Sequence, residues 1–490
     1  MEMKFDKKPL LYMQSITRKL ESQEQTQQVR LSESMPDIDV ILGAWGQVIL
    51  RSKEWHSNHI QVSGGSAVKV LYMSKEKQPI CVEMWLPFQV SVDLPASHDD
   101  GTIVVRPFLR AVDARTLSDR KLSVRSTVGL SIDAMISCET HMYRPEETGG
   151  NLQMLHNVYP VQLAVESGEK LFYMEEPVDI GHDAIILRQT LETFLTESKI
   201  IADKLVMRGT GILEILYLDE NGDICSWNKE IPISHYAELF DEYDSGSTAD
   251  ICFAVTELEL ERNDQTGFTV KLGLLAQYTI SDRKDISVAE DAYLPGHNIE
   301  IESVVMQIPA ILSVNQYVVH PEAEVQLEGH RILDITTFLE ELKPEFEGNS
   351  LIVRPTGTFY VLSMDQEGNY SNTSYRWGCE WQLDASPDIE ADIIAMFEGN
   401  AKIHGNKVSI PLRLKMSTTK LQSIQTISNI TLGDPTEPEP NRPSLILRKI
   451  GNDTLWQLAK NTGSTIEEIK RVNSLQQEPS ADQLLLIPLS

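Results

Sequence analysis

The run Trp55-His56-Ser57-Asn58-His59 places two imidazoles three residues apart, the first side chains in the chain that could hold a metal ion. A protein metal site needs three or four ligands. On a strand, positions i and i+3 point to opposite faces, and no third ligand is near in sequence. The spacing therefore predicts a solvated pair and no metal. Gly209-Thr210-Gly211 is a lone GxG inside a strand pattern and reads as a corner in the backbone. The run Glu238-Leu239-Phe240-Asp241-Glu242-Tyr243-Asp244 reads as a solvated acidic loop. The chain contains no HExxH, no GxxxxGK[ST] and no GxSxG, so zinc hydrolysis, P-loop phosphoryl transfer and a nucleophile elbow have no motif behind them. With 72 Asp and Glu present, choosing two as a general acid and base would be arbitrary. The residues predict no enzyme, no cofactor and no catalytic site.

Binding and assembly remain, and composition narrows them. At 490 residues the chain exceeds one ordinary core and should hold three or four domains. Hydrophobic residues make up 41% and charged residues 23%, a globular balance rather than a disordered one. The 43 Lys and Arg leave a formal charge of −29. That field repels phosphate backbones and anionic lipid, which argues against nucleic acid and against electrostatic membrane docking. Five cysteines (Cys81, Cys138, Cys225, Cys252 and Cys379) form no CxxC pair and fit a reducing compartment better than a disulfide framework. The opening MEMKFDKKPLLYMQS lacks the apolar core of a signal peptide, and no apolar run reaches the roughly 18 residues of a membrane span. The expectation is a cytoplasmic protein with no membrane insertion.

An internal repeat gives the organisation. Residues 60–88, 205–233 and 351–379 share a pattern of strand, Gly-containing corner, β-branched strand, turn and strand. Leu71-Tyr72 aligns with Leu216-Tyr217, 145 residues on, and with Leu362-Ser363, a further 146. A later strand recurs at 124–135, 270–280 and 408–418. Connectors also correspond, Tyr143-Arg144-Pro145 with Tyr293-Leu294-Pro295. A period near 145 makes each copy a domain rather than a solenoid unit. Alternating hydrophobicity and turns such as Glu220-Asn221-Gly222-Asp223 and Glu367-Gly368-Asn369 predict strands. Residues 186–201, helical by spacing alone, are read as strand from their Thr content and repeat context.

The predicted organisation is a leader at 1–34, β-rich repeats at 35–145, 146–295 and 296–432, the third shorter, and a Pro/Glu linker at 433–443. A small α+β module at 444–490 reads strand, helix, helix, strand. Leu445 to Ile450 is the first strand, and Asn452 or Asp453 caps the first helix, whose apolar face is Leu455, Leu458 and Ala459. Gly463 suits its C-terminus. Thr465 with Glu468, or Ser464 with Glu467, opens a second helix carrying Ile466, Ile469 and Val472. Leu484 to Ile487 is the last strand, closed by Pro488. The fold class expected is mainly β, with three tandem β-rich domains and a βααβ module.

Gly451-Asn452-Asp453-Thr454-Leu455-Trp456, then Leu458-Ala459, Ile466, Ile469, Asn473, Leu475 and Leu486-Ile487-Pro488 resemble a LysM domain at the right spacing over about 45 residues. Asn452 is inserted where that family has Gly-Asp directly, and Ser480-Ala481-Asp482-Gln483 replaces its Pro-Gly turn. The repeats resemble SPOCS domains of spore-coat-associated proteins. The G-x-x-x-V-x-[IV]-L-Y strand, the W-x-x-x-[IL]-P-[FI] strand and Glu290-Asp291-Ala292-Tyr293-Leu294-Pro295 carry the likeness, and the third copy departs at Ser363. Three such copies before one LysM domain are similar to the SipL-like spore coat morphogenetic proteins.

That resemblance implies a non-enzymatic scaffold in the mother-cell cytoplasm, at the forespore surface. Its LysM domain would bind a SpoIVA-like coat morphogenetic ATPase, with other coat proteins or a second copy of itself as further partners. The alternative is a peptidoglycan or cortex glycan ligand. The groove candidates are Asp453, Thr454, Trp456, Ile466, Asn473, Ser474 and Leu475. For each a plain structural reading stands beside the binding one: Trp456 as core, Asp453 and Thr454 as helix caps, and 473–475 as a turn.

Overall fold

The computed structural model describes residues 2–3, 5–145, 151–263, 267–436, 443–451, 453–477, 479–480 and 483–489. Strand makes up 77% and helix 3%, so outside two short C-terminal helices every functional side chain stands on a strand or a turn.

The repeat is a six-strand unit built as two antiparallel three-stranded sheets. In the first unit the opening strand Phe5–Arg30 and the penultimate strand Thr102–Ser118 flank the closing strand Lys121–Pro145. The second sheet is the meander Ile38–His56, His59–Ser74 and Pro79–Asp93. Thus the leader set apart at 1–34 is the opening strand of the first unit, paired from Phe5 against Pro145 to Arg30 against Lys121. Its period was invisible because this strand is half exposed and polar, with few of the apolar positions that reveal alternation.

The second unit repeats the plan with Gln153–Asp179, Ile185–Leu218, Ile224–Tyr243, Thr248–Asn263 and Gly267–Tyr293. The long run Ile185–Leu218 contains residues 186–201 as strand, as expected. It doubles back near Ala202 (φ 52°), which brings Arg208 to Glu197 and Arg188 to Glu214 across it. The third unit has His297–Val319, Arg331–Glu347, Ser350–Met364, Tyr370–Gly378, Glu390–Phe397 and Leu412–Pro435. A three-stranded patch from Glu322–Glu324, Lys402–His404 and Lys407–Ser409 is added to it. The strand ending at Pro435 takes in the start of the linker drawn at 433–443, and residues 437–442 lie outside those described.

A β-bulge falls at the same point of all three opening strands, at Ile16, Val165 and Leu312, between successive partners on the closing strand. Bulges re-aim a strand and increase its local twist, and a shared bulge gives the three units the same bend. The Gly-containing corners predicted at 64–65, 209–211 and 357 are not corners: each lies within a continuous strand. A Cβ on Gly64, Gly209 or Gly357 would run into the carbonyl oxygen of Ile49, Phe194 or Phe338, and Phe88, Phe253 and Trp377 close over the same points. Glycine is there for close approach of one strand to another. The acidic run at 238–244 is also strand as far as Tyr243, with Glu238, Asp241 and Glu242 exposed along it. His56 and His59 face each other across a hairpin rather than pointing apart. Ser57-Asn58 turns the chain, and the rings stack at 4.5 Å. The Glu220–Asp223 and Glu367–Asn369 turns stand where expected, with Gly222 and Gly368 at φ 82° and 85°.

The units meet pairwise in a cycle, and the contacts come from matching positions. Three residues before the bulge partners, the closing strands carry Ser131, Gln277 and Lys415. Gln277 spans from the second unit to the first, donating to Val105 O at 2.7 Å and accepting from Val105 N at 2.8 Å. Lys415 of the third unit pairs with Asp250 of the second. Between the third and first units Ser131 is too short to span, and Arg18 reaches Asp392 at 3.8 Å instead. One apolar cluster gathers Leu10 and Met142, Leu163 and Ile286, and Ile308 and Ile424, two from each unit.

A second three-way junction centres on the Thr336 hydroxyl. It accepts from Trp45 Nε1 of the first unit at 2.7 Å and from Arg188 of the second at 2.9 Å, and donates to Asp334 at 2.9 Å. Arg188, with 5% of its side chain exposed, also pairs with Asp334 at 2.8 Å and Glu214 at 3.0 Å.

Two outcomes follow. Gly357→Val should lower stability by about 1–3 kcal/mol through overpacking, read as a shifted midpoint in urea unfolding. Asp334→Ala should cost about 3–5 kcal/mol by leaving a buried guanidinium short of a partner. In that variant unfolding should lose cooperativity between units, followed by hydrogen exchange of the Ile38–His56 and Arg331–Glu347 strands.

Candidate functional site

The C-terminal module is the part of the chain with a recognisable binding architecture. Leu445–Lys449 pairs antiparallel with Leu484–Pro488, and between them lie α1 (Leu455–Thr462) and α2 (Ile466–Asn473). The cap of α1 is Thr454, as its plain structural reading has it, rather than Asp453. Its Oγ1 accepts from Gln457 N at 3.2 Å, and Gln457 Oε1 accepts from Thr454 N at 2.9 Å, a reciprocal pair that satisfies two orphan donors. Asn452 lies outside the described residues. Gly463 ends α1 in the left-handed region (φ 67°), and Thr465 caps α2 by accepting from Glu468 N, both as the spacing predicts. Leu455, Leu458, Ala459 and Ile469 are buried, while Val472, read as part of the α2 apolar face, is 38% exposed.

A module of this size has little core of its own, and domains of about 40 residues are marginal without added support. The support comes from the second unit. Tyr293, the last residue of its closing strand, is buried in the module's core cluster with Trp456 and Leu458. Its ring meets Trp456 edge to face at 5.0 Å, and its hydroxyl donates to Ser464 O at 2.8 Å. Burial, with a smaller contribution from Glu468, pushes its phenol up to about 12. Two residues earlier, Asp291 accepts from Trp456 Nε1 at 2.8 Å through one oxygen and from Lys460 Nζ at 2.6 Å through the other. Partial burial pushes that carboxyl up, but the Lys460 and Trp456 hydrogen bonds outweigh it and hold the group below the ordinary aspartate range.

The seven groove candidates therefore divide. Trp456, 8% exposed, faces the second unit. Asn473 is committed to the module's frame: its Nδ2 donates to Ile469 O and Leu486 O, and its Oδ1 accepts from Leu486 N, stapling α2 to the last strand. Asp453, Thr454 and Ser474 are exposed, Ser474 in the left-handed region at φ 53°. Ile466 and Leu475 are half-buried against the module's core. The sequence reading did not assign Asp291 and Tyr293 to this site. They stood in view as part of the repeat connector, but nothing in the repeat says that one connector serves as a seat and its counterpart at Tyr143 does not.

No described group of three or more His, Cys, Asp or Glu is placed to hold a metal ion, and no described helix is long and apolar enough to cross a membrane. Among known proteins, the LysM domain family model matches residues 452–488. No curated protein matches the chain, and no solved structure matches it.

The seat should be acid-labile. A depressed carboxylate contributes stability that is present above its unfolded pKa and is lost as pH falls through the lower folded value. Trp456 fluorescence and hydrogen exchange of α1 should report loosening below about pH 4. Asp291→Asn should remove that pH dependence and weaken the docked state by about 1–2 kcal/mol at pH 7.

Proposed function

We propose that this chain is a non-enzymatic scaffold of the spore coat or envelope, of the SipL-like kind. In this reading the three β units form the platform and the LysM domain is the recruiting module. A SpoIVA-like ATPase at the forespore surface, in the mother-cell cytoplasm, is its partner. The LysM match supports a module for glycan binding or protein interaction, and the order of three β repeats before it supports the scaffold. The observation that carries the reading is that the module is seated rather than loosely tethered. Asp291 and Tyr293 fix its orientation against the second unit, so whatever its exposed loops grip is held at a set angle to all three units. A platform that passes geometry from one layer to the next needs that coupling; a reach-out sugar binder does not. Trp456 is also the module's sole aromatic side chain. With its ring committed to the seat, the exposed Asp453, Thr454 and Ser474 are left for a ligand, side chains suited to hydrogen bonds and charge pairs with a protein.

The test is a titration of the full chain against two immobilised ligands, a purified SpoIVA-like ATPase and soluble peptidoglycan fragments. Saturable binding to the ATPase, weakened at least tenfold by Asp453→Arg and abolished by removal of 441–490, is the expected result. Binding to glycan alone would replace this reading with the peptidoglycan one.

A further inference from the structure

Beyond the module, the junction of the three units encloses a cavity of about 1010 Å3, lined by side chains from all of them. That is the size of a site for a small organic molecule. Exposed Lys19 and Lys199 lie on its lining, so it opens to solvent.

Its charge inverts that of the protein. Eight Lys and Arg against six Asp and Glu line it, whereas the chain as a whole carries 43 against 72. Most of these cations are held by carboxylates, several from behind the wall, as with Arg188 and Asp334 or Arg413 and Glu398. Arg106 is different. Its side chain is 16% exposed, its ion-pair partner is Asp250 at 3.6 Å, which Lys415 already engages, and Asp392 and Asp133 act on it only from beyond ion-pair distance. Among the described residues the Arg106 guanidinium makes no hydrogen bond, leaving five rigid N–H donors on the cavity wall. Glu192, also on the wall, does not answer the Arg106 donors. Burial and the neighbouring Glu214 push its carboxyl up to about 8, so it is largely uncharged at neutral pH. The rest of the lining is mostly apolar and includes Phe253 and Phe397.

We propose that this cavity binds a small organic anion, with its acidic group on the Arg106 guanidinium and its apolar body against the aromatic wall. The site exists only where the three units close on one another, so an occupant would bind the assembled platform and not an opened one.

The probe is 8-anilinonaphthalene-1-sulfonate, titrated by fluorescence into the full chain. N-phenyl-1-naphthylamine, the same body without the sulfonate, is the comparison. Saturable binding of one sulfonate probe per chain is expected, at least tenfold tighter than the neutral probe. Arg106→Gln should abolish that preference, and Thr193→Trp, which fills the cavity, should remove binding of both. Arg51→Gln on the outer surface should change neither. Thermal unfolding of each variant checks that it is folded, and the cavity-filling variant decides the matter should Arg106→Gln fail to fold. Equal affinity for both probes, or sulfonate binding that survives Thr193→Trp within twofold in a folded variant, would overturn the proposal.

Discussion

The hydroxyl of Thr336 is where the three units become one structure. A single oxygen accepts from Trp45 of one unit and Arg188 of another while donating to Asp334 of its own. Everything beside it is nearly dry: Trp45 is 4% exposed, and the paired side chains of Arg188 and Asp334 are 5% and 7%. A guanidinium taken out of water is costly unless its charge and donors are met, and here its carboxylate partners come from two different units. The third unit cannot bury Asp334 alone without leaving its charge uncompensated, whereas Arg188 keeps Glu214 of its own unit at 3.0 Å. Buried ion pairs contribute little net stability compared with apolar packing, so the bulk of the adhesion must come from the clusters that also draw on all three units, such as Leu163, Ile308 and Ile424 at the opening and closing strands. The polar junction acts on geometry instead, since the Thr336 network closes in one register.

Duplication makes such a closure possible. Each closing strand is hydrogen-bonded on both sides, which removes two of the unpaired edges that a β unit otherwise presents to other chains, and each opening strand carries the same bulge. Equal bends give equal approach angles, so matching positions (Ser131, Gln277 and Lys415) fall at matching interfaces. The place is shared and the chemistry differs. Gln277 copies a strand partner by bonding both backbone groups of Val105, Lys415 uses charge, and at the Ser131 interface Arg18 makes the contact. The cavity follows from the same arrangement. Three twisted sheets that meet at one junction leave space between them, and long side chains such as Arg106 line part of it.

What the sequence made legible follows the strength of its periodic signal. The meander strands 60–88, 205–233 and 351–379 alternate strongly because one face of each is fully buried, and their spacing exposed the triplication. Phe5–Arg30 did not, because its outward face is polar along much of its length. The glycines recurring in the repeats read as corners because a glycine inside a strand pattern has two physical explanations, positive φ or close approach. Only the position of Ile49, Phe194 and Phe338 across the hairpins distinguishes them. The module's helices and caps were readable from local chemistry, with Thr454, weighed beside Asn452 and Asp453, taking the first cap. Thr336, Arg188 and Arg106 were not readable, since each joins its unit to another through residues more than a hundred positions away.

The seat of the module shows how a marginal domain and a repeat connector can come to depend on each other. The module contributes one aromatic ring and one lysine; the second unit contributes a phenol and a carboxylate. Tyr293 completes a core too small to exclude water alone, and in return its hydroxyl, which would otherwise be buried unmet, finds Ser464 O. Asp291 is the component that sets direction, because its two oxygens take different donors from successive turns of one face of α1, Trp456 and Lys460. Apolar contact between Tyr293 and Trp456 would tolerate rotation of the module about the strand end. Two charge-assisted bonds to one carboxylate from side chains four residues apart do not. The orientation of Asp453, Thr454 and Ser474 relative to the platform is therefore determined by a residue in another unit, and any partner gripped there meets all three units at an angle that Asp291 defines.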